Sequence, residues 1–478
     1  MYWLVRAKWD GIYDKTKEFI DNNYWENGYD DKFISIVNSI DINDVLLLAD
    51  GSYIKYFANC TENLQDGKKV LVSKWQLLKE PIYIPAKGNY IQTISKINNK
   101  KYIKRIQNYI EDDKLQDFKI LSLKALNFMS LPSKKIELSD KINIFIGENG
   151  SGKSQILHLL YSIIDANNIL AINNEKSIYE IQRAYASSIN DIFKADKLGN
   201  LVSKSKQETK IDIELDTYDI SFKFNINTTK EIEKHKLNFQ KSFVKKKAVF
   251  IPTKEVLSFY KGFRVLYEDR YIEFNKTYYN LCKSLEGPLK KQTDLDNVIL
   301  ELEKILKGYI SIDNGKFYLN RDNEKFEINL VAEGLRKIGL LAYLLKNGSL
   351  EKNSILFWDE PESNLHPKLI DDIVHILVVL ANSGVQIFIT THSPYIIESF
   401  NNHLKRYKIK NYKIYDNEIE NIELLNPKDL KAYLFENSEA ISIVDKQLGL
   451  MDDKLLQNFN DINILYEKMR DIEWDAKS

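Results

Sequence analysis

Residues Gly147, Glu148, Asn149, Gly150, Ser151, Gly152, Lys153 and Ser154 lie between an apolar run, Ile142 to Ile146, and a helical pattern from Gln155 to Ile164. A strand that ends in a glycine-rich turn and restarts as a helix is the context that supports the pattern G-x-x-x-x-G-K-[ST]. Its physics is local. Glycines let the backbone turn tightly, so that successive N–H groups point inward as an anion nest. The helix N-terminus adds its partial positive charge. Lys153 would then meet the β- and γ-phosphates of ATP, and Ser154 would ligate Mg²⁺. Gln155 completes the candidate nucleotide contacts. The fold class expected is α/β.

A partner motif and its distance decide the kind of core. Ser354 to Trp358 is an apolar run that ends in Asp359 and Glu360. Asp359 is the candidate metal-binding carboxylate and Glu360 the group that polarises the attacking water. Downstream, Val385 to Thr390 is a second apolar run, ending in Thr391, His392 and Ser393. A strand with an acidic turn, or a lone histidine, is more often structural. Here three motifs follow one another in order, which favours a catalytic role for Glu360 and His392.

About two hundred residues separate Lys153 from Asp359, long for a hexameric AAA+ module and fitting for a cassette core with an inserted lobe. The opening segment Phe118 to Ile142 and the run Asp359-Glu360-Pro361-Glu362-Ser363-Asn364-Leu365-His366-Pro367 resemble the RecF/OLD/SMC-like ABC-type ATPases met in phage-defence operons. The resemblance spans about residues 118–400. It implies that Ser363 and Asn364 lie in the D-loop that meets a second subunit. It also implies that Ala332, Glu333 and Gly334 act in trans as the signature before a helix through Leu335, Ile338, Leu341 and Leu345. The serine of the Leu-Ser-Gly-Gly-Gln signature of transport cassettes is missing, so a transporter is disfavoured. Expected partners are a second copy, as a homodimer or higher oligomer, and a separately encoded effector nuclease or toxin. The alternative is a DNA-repair or modification-dependent restriction ATPase of RecF/OLD type.

Charges balance, with 68 basic and 68 acidic residues, so no global basic field announces nucleic acid. Any DNA contact would need a local patch, such as Lys245 to Lys247 or Lys405 to Lys410. Two distant cysteines, Cys60 and Cys282, argue against a disulfide scaffold or a zinc site. Neither a signal peptide nor a run of eighteen apolar residues occurs, so a cytoplasmic protein without a membrane span is expected.

Three territories separate along the chain: 1–110, an ATPase core at 118–435 with a largely helical insertion at about 165–330, and a helical segment at 436–478. In the first, strands are expected at Tyr2–Ala7, Val45–Leu48, Tyr53–Cys60 and Val70–Leu77, with helices at Asp14–Asn22 and Asp31–Ile40, forming a small α+β barrel. The runs MYWLVRAKWDG, WENGYDD and GNYIQTISKI resemble EVE/PUA-like modules. That resemblance implies either a pocket in which Trp3, Trp9 and Trp25, with Trp75, stack on a flipped base, or a docking surface; tryptophans in so small a domain also serve as core. In the insertion, strands are expected at Lys210–Leu215, Tyr218–Asn225 and Ala248–Ile251. Helices are expected at about 254–262, 272–285 and 293–307. A closing helix would carry Leu455, Phe459, Ile462, Leu465, Tyr466 and Met469 on one face.

Overall fold

A computed structural model describes the chain except for residues 10–12, 85–91, 111–117, 173–176, 217, 230–231, 235–242, 244, 271–272, 413–416, 446–448, 450, 452–463, 465–467 and 471–478. The expected closing helix lies largely outside the described residues. The chain divides into two compact units: Met1–Lys119 with Glu214–Ile220 and Leu237–Val244, and Ile120–Ile213 with Ser221–Lys236 and Lys245–Ser478.

The larger unit is built on a six-stranded sheet in the order Ala248–Ile251, Ile355–Asp359, Gln386–Thr391, Ile142–Gly147, Leu430–Glu436, Glu439–Ser442. The first five strands run parallel and the last antiparallel. Ile142–Gly147, Ile355–Asp359 and Gln386–Thr391 are buried at every position. A parallel strand covered on both faces reads as an unbroken apolar run, which is why these strands were legible. Register aligns Phe250, Phe357 and Phe388 across three neighbouring strands, and their rings stack at centroid spacings of 6.3 and 4.9 Å. The helix Lys153–Leu170 packs on the sheet and carries His158, stacked on Phe250 at 4.9 Å. Burial pushes that imidazole down to about 4, so it is a neutral packing group near pH 7.

The stretch expected to be largely helical is mixed. It holds the helices Ile178–Phe193, Tyr260–Arg270, Lys276–Ser284 and Asp296–Leu306. It also holds the strands Glu208–Leu215 and Asp219–Asn225 and a meander of Tyr309–Asp313, Lys316–Arg321 and Glu324–Glu327. The helix expected at 254–262 begins only at Tyr260 and is broken by non-helical backbone at Lys261 and Gly262, because Gly262 takes a left-handed φ of 82°. Residues 436–478 open with strand rather than helix, since Glu439–Ser442 pairs with Leu430–Glu436.

The smaller unit has a seven-stranded sheet in the order Tyr24–Glu26, Lys69–Val72, Tyr53–Asn63, Val45–Asp50, Tyr2–Arg6, Ile94–Lys96, with Gln76–Tyr83 also paired to Tyr53–Asn63. Tyr2–Arg6 and Val45–Asp50 are parallel. Alternation along them feeds two cores: Trp3, Val5, Leu46 and Leu48 enter one, Leu4, Leu47 and Ala49 the other. The helices are Thr16–Asn22, Ile34–Asn38 and Lys100–Ile110. Cys60 and Cys282 are both free and buried.

Candidate nucleotide site

Parallel strands deliver their C-terminal ends to one edge of a sheet, which is where open α/β sheets carry ligands. Four loops meet there: the one after Ile251, the acids after Trp358, Thr391–His392, and Gly147–Ser154. The glycine-rich turn depends on its glycines. Gly147, Gly150 and Gly152 have φ of 153°, 82° and 103°, and a Cβ on Gly147 would sit 2.5 Å from the Phe435 carbonyl oxygen. Gly152 hands over to the helix Lys153–Leu170. The Lys153 ammonium folds over the loop and donates to the Gly147 and Glu148 carbonyls at 2.6 and 2.9 Å. Burial pushes its pKa down, against the smaller opposing pull of the Glu360 and Asp359 charges. The Gln155 side-chain oxygen accepts from the Ser130 N–H at 3.1 Å and hydroxyl at 3.0 Å.

Asp359 is the hub. Its Oδ1 accepts from the Ser154 hydroxyl at 2.9 Å and from the Thr390 hydroxyl, and its Oδ2 accepts from the Thr253 hydroxyl at 3.1 Å. Register explains Thr390, which sits directly opposite Asp359. The same threonine accepts from the Glu360 N–H at 3.1 Å and so ties both acids to the neighbouring strand. A carboxylate ringed by hydroxyls is a hard, all-oxygen donor set of the kind Mg²⁺ takes, usually through one or two carboxylates plus phosphate oxygens. Ser154 and Asp359 are the groups that would hold it. Among the described residues no cluster of three or more His, Cys, Asp or Glu side chains could hold a metal by itself.

Glu360 has a left-handed backbone, φ 50°. Its Oε1 lies 3.3 Å from Nδ1 of His392, whose side chain is 53% exposed. The expected pair is therefore brought together. Sequence reasoning gave no role to Glu362. Its Oε1 accepts from the Thr391 hydroxyl at 2.7 Å and the His392 N–H at 3.2 Å.

The helix Glu333–Lys346 begins at Ala332, which makes no side-chain cap, the consequence of alanine where serine would cap. A Cβ on Gly334 would meet the Asn364 carbonyl oxygen at 2.7 Å, so the glycine lets this helix start press against the segment at Asn364 and Leu365 of its own chain. Lys337, fully buried, donates to the Ser363 carbonyl at 3.1 Å and to its hydroxyl. Ser363 in turn donates to the Glu360 carbonyl at 2.9 Å. Arg336 pairs with Glu255 at 3.2 Å, joining this helix to the loop after Ile251. Lys337, Thr390 and Glu362 were beyond sequence reasoning, although Thr390 closes a legible strand.

Of the four tryptophans expected to line a base pocket, three are buried. Trp3, Trp25 and Trp75 are core, with indole N–H groups donating to Asp44 at 2.7 Å, the Arg6 carbonyl at 3.0 Å and the Tyr24 carbonyl at 3.3 Å. Apolar area and a satisfied N–H keep them inside. Trp9 is half-buried and covers Gly28, where a Cβ would come within 2.7 Å of its ring. The basic run is spoken for in part: Lys246 is buried and Lys247 pairs with Glu351 at 2.7 Å. Lys405, Arg406 and Lys408 lie in the last turn of Pro394–Lys408, where cations suit the helix dipole. Among the described residues no helix is long and apolar enough to cross a membrane.

A stretch of 138 residues is 32% identical to the Old nuclease of Escherichia phage P2, covering 27% of this chain and 22% of that protein. The chain thus spans about a fifth of the length of that curated relative. Among solved structures, an SMC head bound to the C-terminal winged-helix domain of ScpA matches with TM-score 0.41 and 14% identity, covering 69% of this chain and 98% of that one. The SMC head domain from Thermotoga maritima matches with TM-score 0.34 and 12% identity over 68% and 98%. The ATP-bound recombination mediator RecF matches with TM-score 0.33 and 12% identity over 68% and 99%. Likeness at that level says nothing of activity. The matching family model reaches from the first residue of the nucleotide-loop strand, across both acids, to the helix after His392: over residues 142–398 the chain belongs to the family described as "AAA domain, putative AbiEii toxin, Type IV TA system".

Proposed function

We propose that this chain is an ABC-type ATPase that binds ATP with Mg²⁺ and hydrolyses it between two copies of itself. The observation that carries the reading is the convergence of Ser154, Thr253 and Thr390 on Asp359 beside the Glu360–His392 pair. Glu360 takes the proton of the attacking water as that oxygen bonds to the γ-phosphorus and the bond to the β-phosphate oxygen breaks. Lys153 and the loop N–H groups hold the phosphates, and His392 steadies the γ-phosphate. Mg²⁺, when bound, neutralises charge on the β- and γ-oxygens. The exposed start of the helix Glu333–Lys346, with Leu330 at 80% exposure and Ala332 also open, supports a contact with a second copy's nucleotide.

On this reading the protein is the sensor of an anti-phage defence system and controls a separately encoded nuclease or toxin. The family's description, which names a toxin–antitoxin system, supports it. The second reading, a RecF/OLD-type repair or restriction ATPase, is favoured by the stretch shared with the Old nuclease. The N-terminal unit would be an EVE/PUA-like reader or docking module, with DNA as a possible ligand. The test is light scattering of the Glu360→Gln chain with ATP and Mg²⁺. A dimer that dissolves on ATP removal is expected, and a monomer at micromolar concentration would rule against the shared site. Purification together with the product of a neighbouring gene separates the two biological readings: a bound nuclease or toxin supports the first, and its absence beside DNA-stimulated turnover supports the second.

A further inference from the structure

Two carboxylates approach the same ring nitrogen of one imidazole at the catalytic edge, and they come from positions 360 and 362 of a single short segment. His392 Nδ1 is 3.3 Å from Glu360 Oε1 and 3.7 Å from Glu362 Oε1. Glu360 faces the open side with 22% side-chain exposure, whereas Glu362 is only 5% exposed. Its Oε1 takes the Thr391 hydroxyl and the His392 N–H, while its Oε2 is buried without a hydrogen-bond partner among the described residues. Burial accordingly pushes the Glu362 carboxyl above the ordinary carboxylate range.

A group with only a structural task has little use for that arrangement. A glutamine would accept the same two hydrogen bonds through its amide oxygen and bury no charge. A buried carboxylate with an unsatisfied oxygen is costly to the fold, and such costs concentrate where function needs them. The local geometry also carries consequence for Glu360. Its left-handed backbone is a sparsely populated conformation that persists only where the surroundings over-determine it. Here the segment is held on one side by Glu362 to the end of Gln386–Thr391 and on the other by Ser363 to Lys337.

Resting on the ATPase reading above, we propose that Glu362 is a positioning residue for hydrolysis: its carboxylate charge, beside Nδ1, sets the His392 imidazole against Glu360. It acts through His392. Glu362→Gln in the full chain decides the matter. Nucleotide affinity, read with a fluorescent ATP analogue, should stay within about two-fold, and the melting temperature should hold or rise, because a buried charge is gone. The turnover number should fall at least about ten-fold with KM little changed. In a His392→Ala background the same substitution should cost no more than about two-fold, since residues acting through one another are non-additive. Glu362→Asp should recover more of the rate than Glu362→Ala, and serves as the conservative variant if the glutamine chain does not fold. Wild-type turnover in Glu362→Gln overturns the proposal, as does a full loss repeated on top of His392→Ala. A wild-type chain that releases no phosphate from ATP would instead remove the ATPase reading.

Discussion

The nucleotide edge of the larger unit and the sheet of the N-terminal unit bury their conspicuous residues for opposite reasons. At the first, charge is drawn inside: Lys153, Lys337, Asp359 and Glu362 are all buried, held mainly by hydroxyls and backbone carbonyls. At the second, the buried groups are indoles whose N–H donors are met within the unit. Asp44, a buried carboxylate of that unit, is taken up by the Met1 amine and Trp3. Burying a charge without an opposite charge beside it opposes folding, so a cluster of such groups marks a site. Burying an indole favours folding, so buried tryptophans mark a core.

That contrast breaks first at Glu360. Glu360→Gln should lower phosphate release by about 10²–10⁴-fold while ATP stays bound, whereas Lys153→Ala should lose binding itself; equal turnover in Glu360→Gln and wild type would take the base role from Glu360. Next is Trp25→Ala, which as a core deletion should cost about 3–5 kcal/mol in denaturant unfolding of the full chain. An unchanged midpoint would mean that Trp25 is not core. Gly334→Ala comes third. It forces a Cβ toward the Asn364 carbonyl at 2.7 Å, a misfit worth about 1–3 kcal/mol, and should weaken ATP-dependent dimerisation more than ATP binding. Dimerisation equal to wild type would separate Gly334 from the subunit contact.

Trp9→Ala sharpens the other side. If the half-buried Trp9 stacks on a base, affinity for oligonucleotides should fall by about 1–3 kcal/mol with basal phosphate release unaltered; unchanged titrations against modified and unmodified DNA would leave the unit as a docking surface. The smallest effect belongs to Asp50, which Lys55 and Lys8 hold down at about 2. Its contribution is full above the ordinary carboxylate value and fades as pH falls through about 2. The carboxylate is 42% exposed and solvent screens the pair, so Asp50→Asn should cost under about 1 kcal/mol at neutral pH and progressively less in acid.

What could be read beforehand tracks how local the physics is. The loop Gly147–Ser154, the strand Ile355–Asp359 and the strand ending at His392 are each written in consecutive residues: an apolar run buried on both faces, then glycines, acids or a histidine at its end. The boundaries moved by a few residues, as with the helix that begins at Lys153 rather than Gln155. The insertion was misread toward helix because the meander Tyr309–Glu327 alternates polar and apolar side chains over short strands joined by Asn-Gly and Asp-Asn turns, a weak signal beside long helical patterns. Three tryptophans near the N-terminus carried no sign of whether their faces were covered, and only packing put Trp3 and Trp25 inside.

By itself, then, the order of residues determined that a glycine-rich loop, a strand-end pair of acids and a strand-end histidine exist and follow one another, because each is a property of a few neighbouring residues. Tertiary structure decided which of them meet. Ser154 reaches Asp359 only because three parallel strands bring their ends to one edge, and Thr390 joins them because register sets it opposite Asp359. Glu362 and Lys337 acquire meaning from burial beside His392 and Ser363. A charge's cost and its partners depend on what surrounds it in space, and the linear chain does not contain that neighbourhood until it folds.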